Sequence, residues 1–151
     1  MTAHRKALCV LAVYLVLLAL IAFWPTPVDR PVDGTLEAFL RYLNRHGVPA
    51  WVDYGFVEKS ANVALFFPLG LLVALILPRR RWWLAILIGI CASCCIELGQ
   101  LLFLSARVAS VTDILVNSLG AALGAVCAHI CGHRLRVRRL RRARHRSLSG
   151  R

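Results

Sequence analysis

Three pairs of polar side chains interrupt apolar stretches of this sequence, and each pair has helical spacing. The pairs are Glu58 with Asn62, Glu97 with Gln100, and Asp113 with Asn117. Residues three or four apart share one face of a helix, so each pair would present its polar groups together. Carboxylates can transfer protons in catalysis, and amides can hydrogen-bond a polar ligand. The sequence therefore indicates either an acid–base site or a binding site.

Arg107 adds a cation in the short segment between the second pair and the third. Its guanidinium would either keep a neighbouring carboxylate charged or bind an anionic headgroup through two hydrogen bonds. For catalysis, the candidate residues are Glu97 and Asp113, acting as a general acid–base pair. No serine or cysteine beside a histidine accompanies them, so the catalytic hypothesis depends on two carboxylates.

Four long apolar blocks carry these residues. The chain of 151 residues is 59% hydrophobic, whereas soluble globular chains are about 45–50% apolar. Crossing a bilayer takes about 20 mostly apolar residues, and in lipid their backbone groups must be satisfied within a helix. The predicted spans are residues 7–24, 56–77, 82–104 and 111–131. The sequence thus predicts an all-α fold, an integral membrane bundle of four transmembrane helices within a membrane domain of residues 7–131.

Residues 25–55 form the long loop between the first two spans. Apolar residues recur there at helical spacing, at Leu36, Phe39, Leu40 and Leu43. We expect a short amphipathic interfacial helix, capped by Asp33 or Thr35 and ended by Gly47. This helix either only connects the two spans or also covers a site between the helices, and connection is the simpler role.

Basic residues are distributed unevenly between the two sides of the predicted bundle. Residues 1–6, 78–81 and 132–151 together hold 14 of the 19 lysines and arginines. The positive-inside rule therefore places both termini in the cytoplasm, as a basic N-terminus of residues 1–6 and a basic tail of residues 132–151. In this orientation the three polar pairs lie at similar depth in the outer half of the membrane.

This polar layer has two interpretations. It would stabilise the bundle by hydrogen bonds between helices, worth ~0.6–2 kcal/mol each, or it would line a pocket that opens outward. Charged groups favour the pocket, because a carboxylate in the membrane costs ~2.5–3.5 kcal/mol and amides alone could join helices. Pro68 is expected to kink the second span and splay its outer half, while Gly120 and Gly124 permit close helix packing.

Other ligands are not indicated by the sequence. The six cysteines all lie within predicted spans and, with the nearby histidines, form no convincing ligand set, so we expect no metal and no cofactor. The arginine-rich tail is expected to attract anionic membrane lipids, at about 1 kcal/mol per basic residue, rather than nucleic acid. The sequence indicates no particular oligomeric state.

The polar pairs and the residues between them resemble the VanZ-like family. The resemblance is carried by Glu58-x3-Asn62-x3-Phe66-Phe67-Pro68-Leu69-Gly70, by Glu97-x2-Gln100, and by Arg107-x5-Asp113-x3-Asn117-x2-Gly120-x3-Gly124. It covers residues 56–131, about half of the chain. One departure is Ser110, at a position where the family often has an acid. The resemblance implies a small multi-pass protein of the bacterial plasma membrane.

The family takes its name from a protein linked to low-level teicoplanin resistance, so the resemblance implies a contribution to glycopeptide resistance. The polar residues would then bind a lipid or glycolipid headgroup, a lipid-linked envelope precursor or the glycopeptide itself. One alternative is an intramembrane enzyme that acts on a lipid-linked headgroup, with Glu97 and Asp113 as acid and base. Another is a structural or transport-accessory protein in which the polar layer only joins helices.

Overall fold

The computed structural model describes residues 3–24, 33–104 and 110–149, and these ranges contain helices and no strand. The helices are α1 (Ala3–Ala22), α2 (Asp33–Arg45), α3 (Tyr54–Ile76), α4 (Leu84–Phe103) and α5 (Val111–Ser149), with a short 3-10 helix at Arg79–Arg81. The predicted all-α fold is confirmed. The predicted boundaries of the first three spans agree with the helices to within a few residues.

Four of the described helical segments are long and apolar enough to cross a membrane. They are His4–Ala22, Tyr54–Ile76, Leu84–Phe103 and Val111–Gly132. The helix α5 does not stop at the end of its apolar part, because its backbone continues to Ser149. At one end of the bundle α1 and α4 finish and α3 and α5 begin. This end is here named the α2 end. The opposite end, where Arg79 lies, is named the tail end.

The helices α3 and α5 run parallel and pack through glycines. Gly120 lies against the backbone of Val63, and Gly124 lies against the backbone of Phe67. A Cβ on either glycine would collide with main-chain atoms of α3. Small residues allow membrane helices to approach until their backbones touch, which replaces the missing hydrophobic drive with van der Waals contact. The close approach predicted from the two glycines is confirmed.

The helix α3 continues without interruption through Pro68. Proline removes one backbone hydrogen bond from a helix, and in the same turn the Tyr14 hydroxyl of α1 donates to the carbonyl of Leu65. Val63, which lies on the α2-end side of Pro68, touches Gly120 of α5. The predicted splaying is therefore wrong at this level, because the glycine contact holds α3 in place.

The helix α1 lies at the periphery of the bundle. Leu18 is its buried side chain, at 4% exposure, whereas most of its apolar side chains are exposed. Two further contacts attach it at the α2 end: Gln100 Nε2 donates to the Ala22 carbonyl at 2.7 Å, and the Phe23 ring lies against Gly99. The helix α1 is thus held by a few contacts with α3 and α4.

The helix predicted in the long loop is α2. Its Leu40 is buried while Glu37 and Arg41, which form an ion pair at 3.6 Å, are exposed. Gly47 follows the helix with a φ of 100°, and the Val48 N–H donates back to Leu43. A positive φ is readily adopted only by glycine, so Gly47 ends the helix as predicted.

Candidate functional site

Polar side chains replace the small apolar residues of the core near the α2 end. Within the described residues, the buried polar side chains are Ser93, Glu97 and Gln100 of α4 and Asn117 of α5, each at most 7% exposed. On α4 they continue a stripe of small residues, and on α5 Asn117 precedes the buried glycines by one turn. Three of the four are among the residues predicted from the sequence, and Ser93 is an addition.

Glu97 binds the start of α5. Its Oε2 accepts the backbone N–H of Ser110 at 2.8 Å, and Ser110 Oγ accepts the backbone N–H of Asp113 at 3.3 Å. Ser110 therefore caps α5, with Asp113 at the third helical position as in a capping box. The unpaired N–H groups and the dipole at a helix N-terminus favour a carboxylate, which explains how Glu97 is accommodated at 5% exposure.

Asn117 lies one turn further along α5. Its Nδ2 donates to Ser93 Oγ at 3.0 Å, in a bond between two buried side chains. Its Oδ1 is also buried and has no hydrogen-bond partner among the described residues. A buried acceptor without a partner costs about 1–3 kcal/mol. Asn117 therefore offers an oxygen to a donor that the described chain does not supply.

The two interhelical hydrogen bonds fix the register of α4 against α5. The helices run antiparallel, with Ser93 beside Asn117 and Glu97 beside Ser110. This register places Asp113, which is half-buried, at the level of Glu97. The two candidate acid–base residues therefore occur at the same depth on adjacent helices.

The α3 pair lies at the same end of the bundle. Asn62 is half-buried on the stripe that continues to the buried Phe66, and its neighbour Val63 contacts Gly120. Asn62 therefore lies near the depth of Asn117. Glu58 lies one turn nearer the α2 end, and its side chain is exposed.

The remaining predicted residues are placed differently. Gln100 is buried but faces α1, where it donates to the Ala22 carbonyl, so its described contact fastens α1 to α4. Arg107 lies outside the described residues. Glu97 and Asp113 thus lie at one level on α4 and α5, and Asn117 and Asn62 lie about one turn nearer the tail end. These four residues are here named the polar layer.

The sequence contained signals for the two serines that complete this arrangement. Ser93 precedes Glu97 by four residues and so shares its helix face. Ser110 precedes Asp113 by three residues, the spacing of a capping box. Neither serine was predicted to be part of the site. Ser93 lies among cysteines and an alanine and resembles a packing residue, and Ser110 was considered only as the position where the family often has an acid.

A second polar contact lies at the tail end. Arg79 donates to the carbonyls of His129 and Gly132 at 3.4 Å each, and the Trp82 ring lies 4.9 Å from the His129 ring. These contacts fasten the link between α3 and α4 to α5. In the part of the chain that is described, no three His, Cys, Asp or Glu side chains are grouped to hold a metal ion.

Comparison with known proteins places these features in one family. The VanZ/LLP1 family model matches residues 11–132, well over half of the chain. No curated protein and no solved structure matches the chain. The matched residues include all of α3 and α4, the apolar part of α5 and most of α1. The chain therefore belongs to the VanZ/LLP1 family, as a multi-pass membrane protein with four helices able to span the bilayer.

Proposed function

We propose that this protein binds the headgroup of an envelope lipid or glycolipid in a pocket at the polar layer, and that this binding contributes to glycopeptide resistance, with teicoplanin as the test compound. The observation that carries the proposal is the state of Asn117. This side chain is 5% exposed, and its Oδ1 has no partner among the described residues. The proposed ligand supplies the missing donor.

Energetics also favour a ligand over a purely structural layer. Hydrogen bonds between membrane helices contribute ~0.6–2 kcal/mol each, whereas a carboxylate within a membrane helix costs ~2.5–3.5 kcal/mol. Glu97 accepts a hydrogen bond from the Ser110 N–H, but an amide oxygen could accept the same bond without a charge. A buried carboxylate one turn from an unsatisfied amide oxygen makes this layer more polar than hydrogen bonding between helices requires.

Susceptibility testing addresses the resistance part of the proposal. Expression of the full chain in a teicoplanin-susceptible bacterium is expected to raise the inhibitory concentration of teicoplanin two- to fourfold over an empty vector. Protein in the membrane fraction is measured in parallel. An unchanged inhibitory concentration, with the protein present in the membrane, would exclude a role in resistance in that host.

A second candidate function is an intramembrane enzyme that acts on a lipid-linked headgroup. It is favoured by the register, which places Glu97 and Asp113 at one depth on adjacent helices. A general acid and a general base on adjacent helices at one depth could transfer protons to and from a headgroup bound between them. Mass spectrometry of lipid incubated with the purified protein separates the two functions, because catalysis changes the headgroup mass and binding does not.

The proposed location is the bacterial plasma membrane, with both termini in the cytoplasm and the α2 end outside. Cysteine labelling tests this orientation in a variant whose six native cysteines are replaced. Gly34 of α2 is exposed and has nothing within 4 Å of an added Cβ, so Gly34→Cys is expected to react with an impermeant maleimide on intact cells. Arg80→Cys, exposed at the tail end, should react only after permeabilisation. The reverse pattern would overturn the orientation.

The basic tail is expected to be dispensable for the polar layer. The family match ends at residue 132, and seven of the fifteen residues 137–151 are arginine while few are apolar. Deleting these residues should leave the amount of membrane-inserted protein and the teicoplanin phenotype within about twofold of the full chain, since the apolar part of α5 stays intact. Loss of membrane insertion in the truncated protein would instead assign the tail a role in setting topology.

A further inference from the structure

Positive charge is concentrated at the tail end of the bundle, with no acidic side chain nearby to balance it. The 3-10 helix Arg79–Arg81 consists of three consecutive arginines, and α1 begins at the same end with Arg5 and Lys6 near its start. The sequence contains no aspartate or glutamate in residues 1–28, 59–96 or 114–151, which include the whole tail end. The counter-charge for these cations therefore comes from the surroundings of this end rather than from a neighbouring side chain.

The link between α3 and α4 has a three-residue period, which assigns its side chains to separate faces. In a 3-10 helix the side chains three residues apart lie one above the other, and here the Arg81 N–H donates to the Pro78 carbonyl at 2.7 Å. Arg79 and Trp82 are three residues apart and both contact α5, Arg79 through main-chain carbonyls and Trp82 through the ring of His129. One face of the link is thus occupied by its packing on α5.

Arg80 and Trp83 share the next face of the link by the same spacing. Both side chains are exposed, the Trp83 side chain at 49%, and the ion pairs of the described residues do not include Arg80. Tryptophan favours the membrane–water interface, because its ring is apolar and its N–H requires a polar partner. Arginine can lay its apolar stem along the same boundary and keep its guanidinium among the headgroups. This face therefore combines an interfacial ring with an exposed cation.

From this arrangement we propose that the face formed by Arg80 and Trp83 binds the headgroup of an anionic phospholipid. The Arg80 guanidinium donates paired hydrogen bonds to phosphate oxygens, and the Trp83 ring packs on the glycerol and the adjoining acyl carbons. A soluble anion would use the cation alone and leave the exposed ring in water, so a lipid fits both side chains. Arg79 is a positioning residue, since its bonds to α5 set the rotation of the link. The site lies at the opposite end of the bundle from the polar layer and is independent of the proposed function.

Quenching of Trp83 fluorescence tests this proposal in the full-length protein reconstituted into vesicles. Replacing the other three tryptophans by phenylalanine leaves Trp83 as the reporter and keeps a ring at position 82 against His129. Bromine atoms on the acyl chains of a lipid quench the fluorescence of a tryptophan that the lipid contacts. We expect brominated phosphatidylglycerol to associate at Trp83 about fivefold more strongly than brominated phosphatidylcholine, as one basic residue near an anionic surface contributes about 1 kcal/mol. Both leaflets have the same composition, so the orientation of the protein does not affect the result.

Arg80→Gln and Arg81→Gln form a matched pair, because each removes one positive charge from the same 3-10 helix and leaves the basic tail unchanged. Arg80→Gln is expected to reduce the preference for phosphatidylglycerol to about twofold or less. Arg81 lies on a different face from Trp83, so Arg81→Gln should keep the preference at about fourfold or more. An equal reduction in both variants would assign the preference to the overall charge of the tail end. That result, or an unchanged preference in Arg80→Gln, would overturn the proposal.

Inorganic phosphate, added at millimolar concentration and constant ionic strength, distinguishes a lipid headgroup from a free anion. The preference for phosphatidylglycerol at Trp83 is expected to stay the same, because free phosphate has no apolar part to pack on the ring. Loss of the preference in phosphate would assign Arg80 to a soluble anion and overturn the lipid site. If the protein with three phenylalanines does not fold, native mass spectrometry with the natural tryptophans decides. Arg80→Gln should then retain less phosphatidylglycerol than Arg81→Gln, and equal retention would overturn the proposal.

Discussion

Replacement of Gly124 by valine is expected to prevent folded protein from accumulating in the membrane. A Cβ at this position would collide with the carbonyl of Phe67 and would lie 2.7 Å from the backbone nitrogen of Leu71. The obstacle is main chain, which cannot rotate aside as a side chain would, so α3 and α5 must separate along their whole contact. We expect a loss of at least ~3 kcal/mol of stability, at the upper end of the range for overpacked cores.

Gly132→Val on the same helix is the matched control for this variant. Gly132 has nothing within 4 Å of an added Cβ, so the same change in side-chain size should be tolerated there. Protein abundance in the membrane fraction and the melting temperature of the detergent-solubilised protein measure the difference. If both variants accumulated and melted like the wild type, the parallel packing of α3 on α5 would be wrong.

Glu97→Gln is expected to abolish the teicoplanin phenotype while leaving the protein folded and abundant. Glutamine keeps a side-chain oxygen that can accept the Ser110 N–H, which Glu97 Oε2 accepts at 2.8 Å. It removes the charge and replaces the other oxygen by an NH2 group. Glu97→Leu loses that acceptor as well and should lose an additional ~1–3 kcal/mol of stability. The comparison separates the cap on α5 from the function of the carboxylate.

The same reasoning applies to Asp113→Asn, because the bond of this residue to Ser110 is made by its backbone N–H and survives the substitution. The control is Glu37→Gln, the same chemical change at a carboxylate of α2 that is exposed and paired with Arg41. This control should retain the phenotype. Wild-type teicoplanin susceptibility in Glu97→Gln and Asp113→Asn, at equal abundance, would reduce the polar layer to a structural role.

The helices of this protein are predictable from the sequence because length and hydropathy are local properties of the chain. Predicted spans such as 56–77 and 82–104 differ from α3 and α4 by at most two residues at each end. The close contact at Gly120 and Gly124 was predictable for the same reason, since small residues four apart mark a helix face wherever it packs. The family was recognisable from the spacing of its polar residues.

The rotation of each helix about its axis depends on its partners and was only partly predictable. Gln100 shares a face with Glu97 by spacing, yet a turn of about 60° between them is enough to direct Gln100 to α1 and Glu97 to α5. Glu58 shares a face with Asn62 on α3 by spacing, but its side chain is exposed whereas Asn62 is half-buried. Pro68 removes one backbone hydrogen bond from α3, but the contact of Val63 with Gly120 keeps that part of the helix against α5.

The most direct test of headgroup binding at the polar layer is mass spectrometry of the lipids retained by equal amounts of folded wild-type and Glu97→Gln protein from the same membranes. We expect the wild type to retain one class of headgroup lipid in near-equimolar amount and Glu97→Gln to retain less than a tenth of it. The bulk lipids bound around the bundle should be the same for both proteins. An identical set of retained lipids in identical amounts would contradict headgroup binding and leave Glu97 with a structural role at the start of α5.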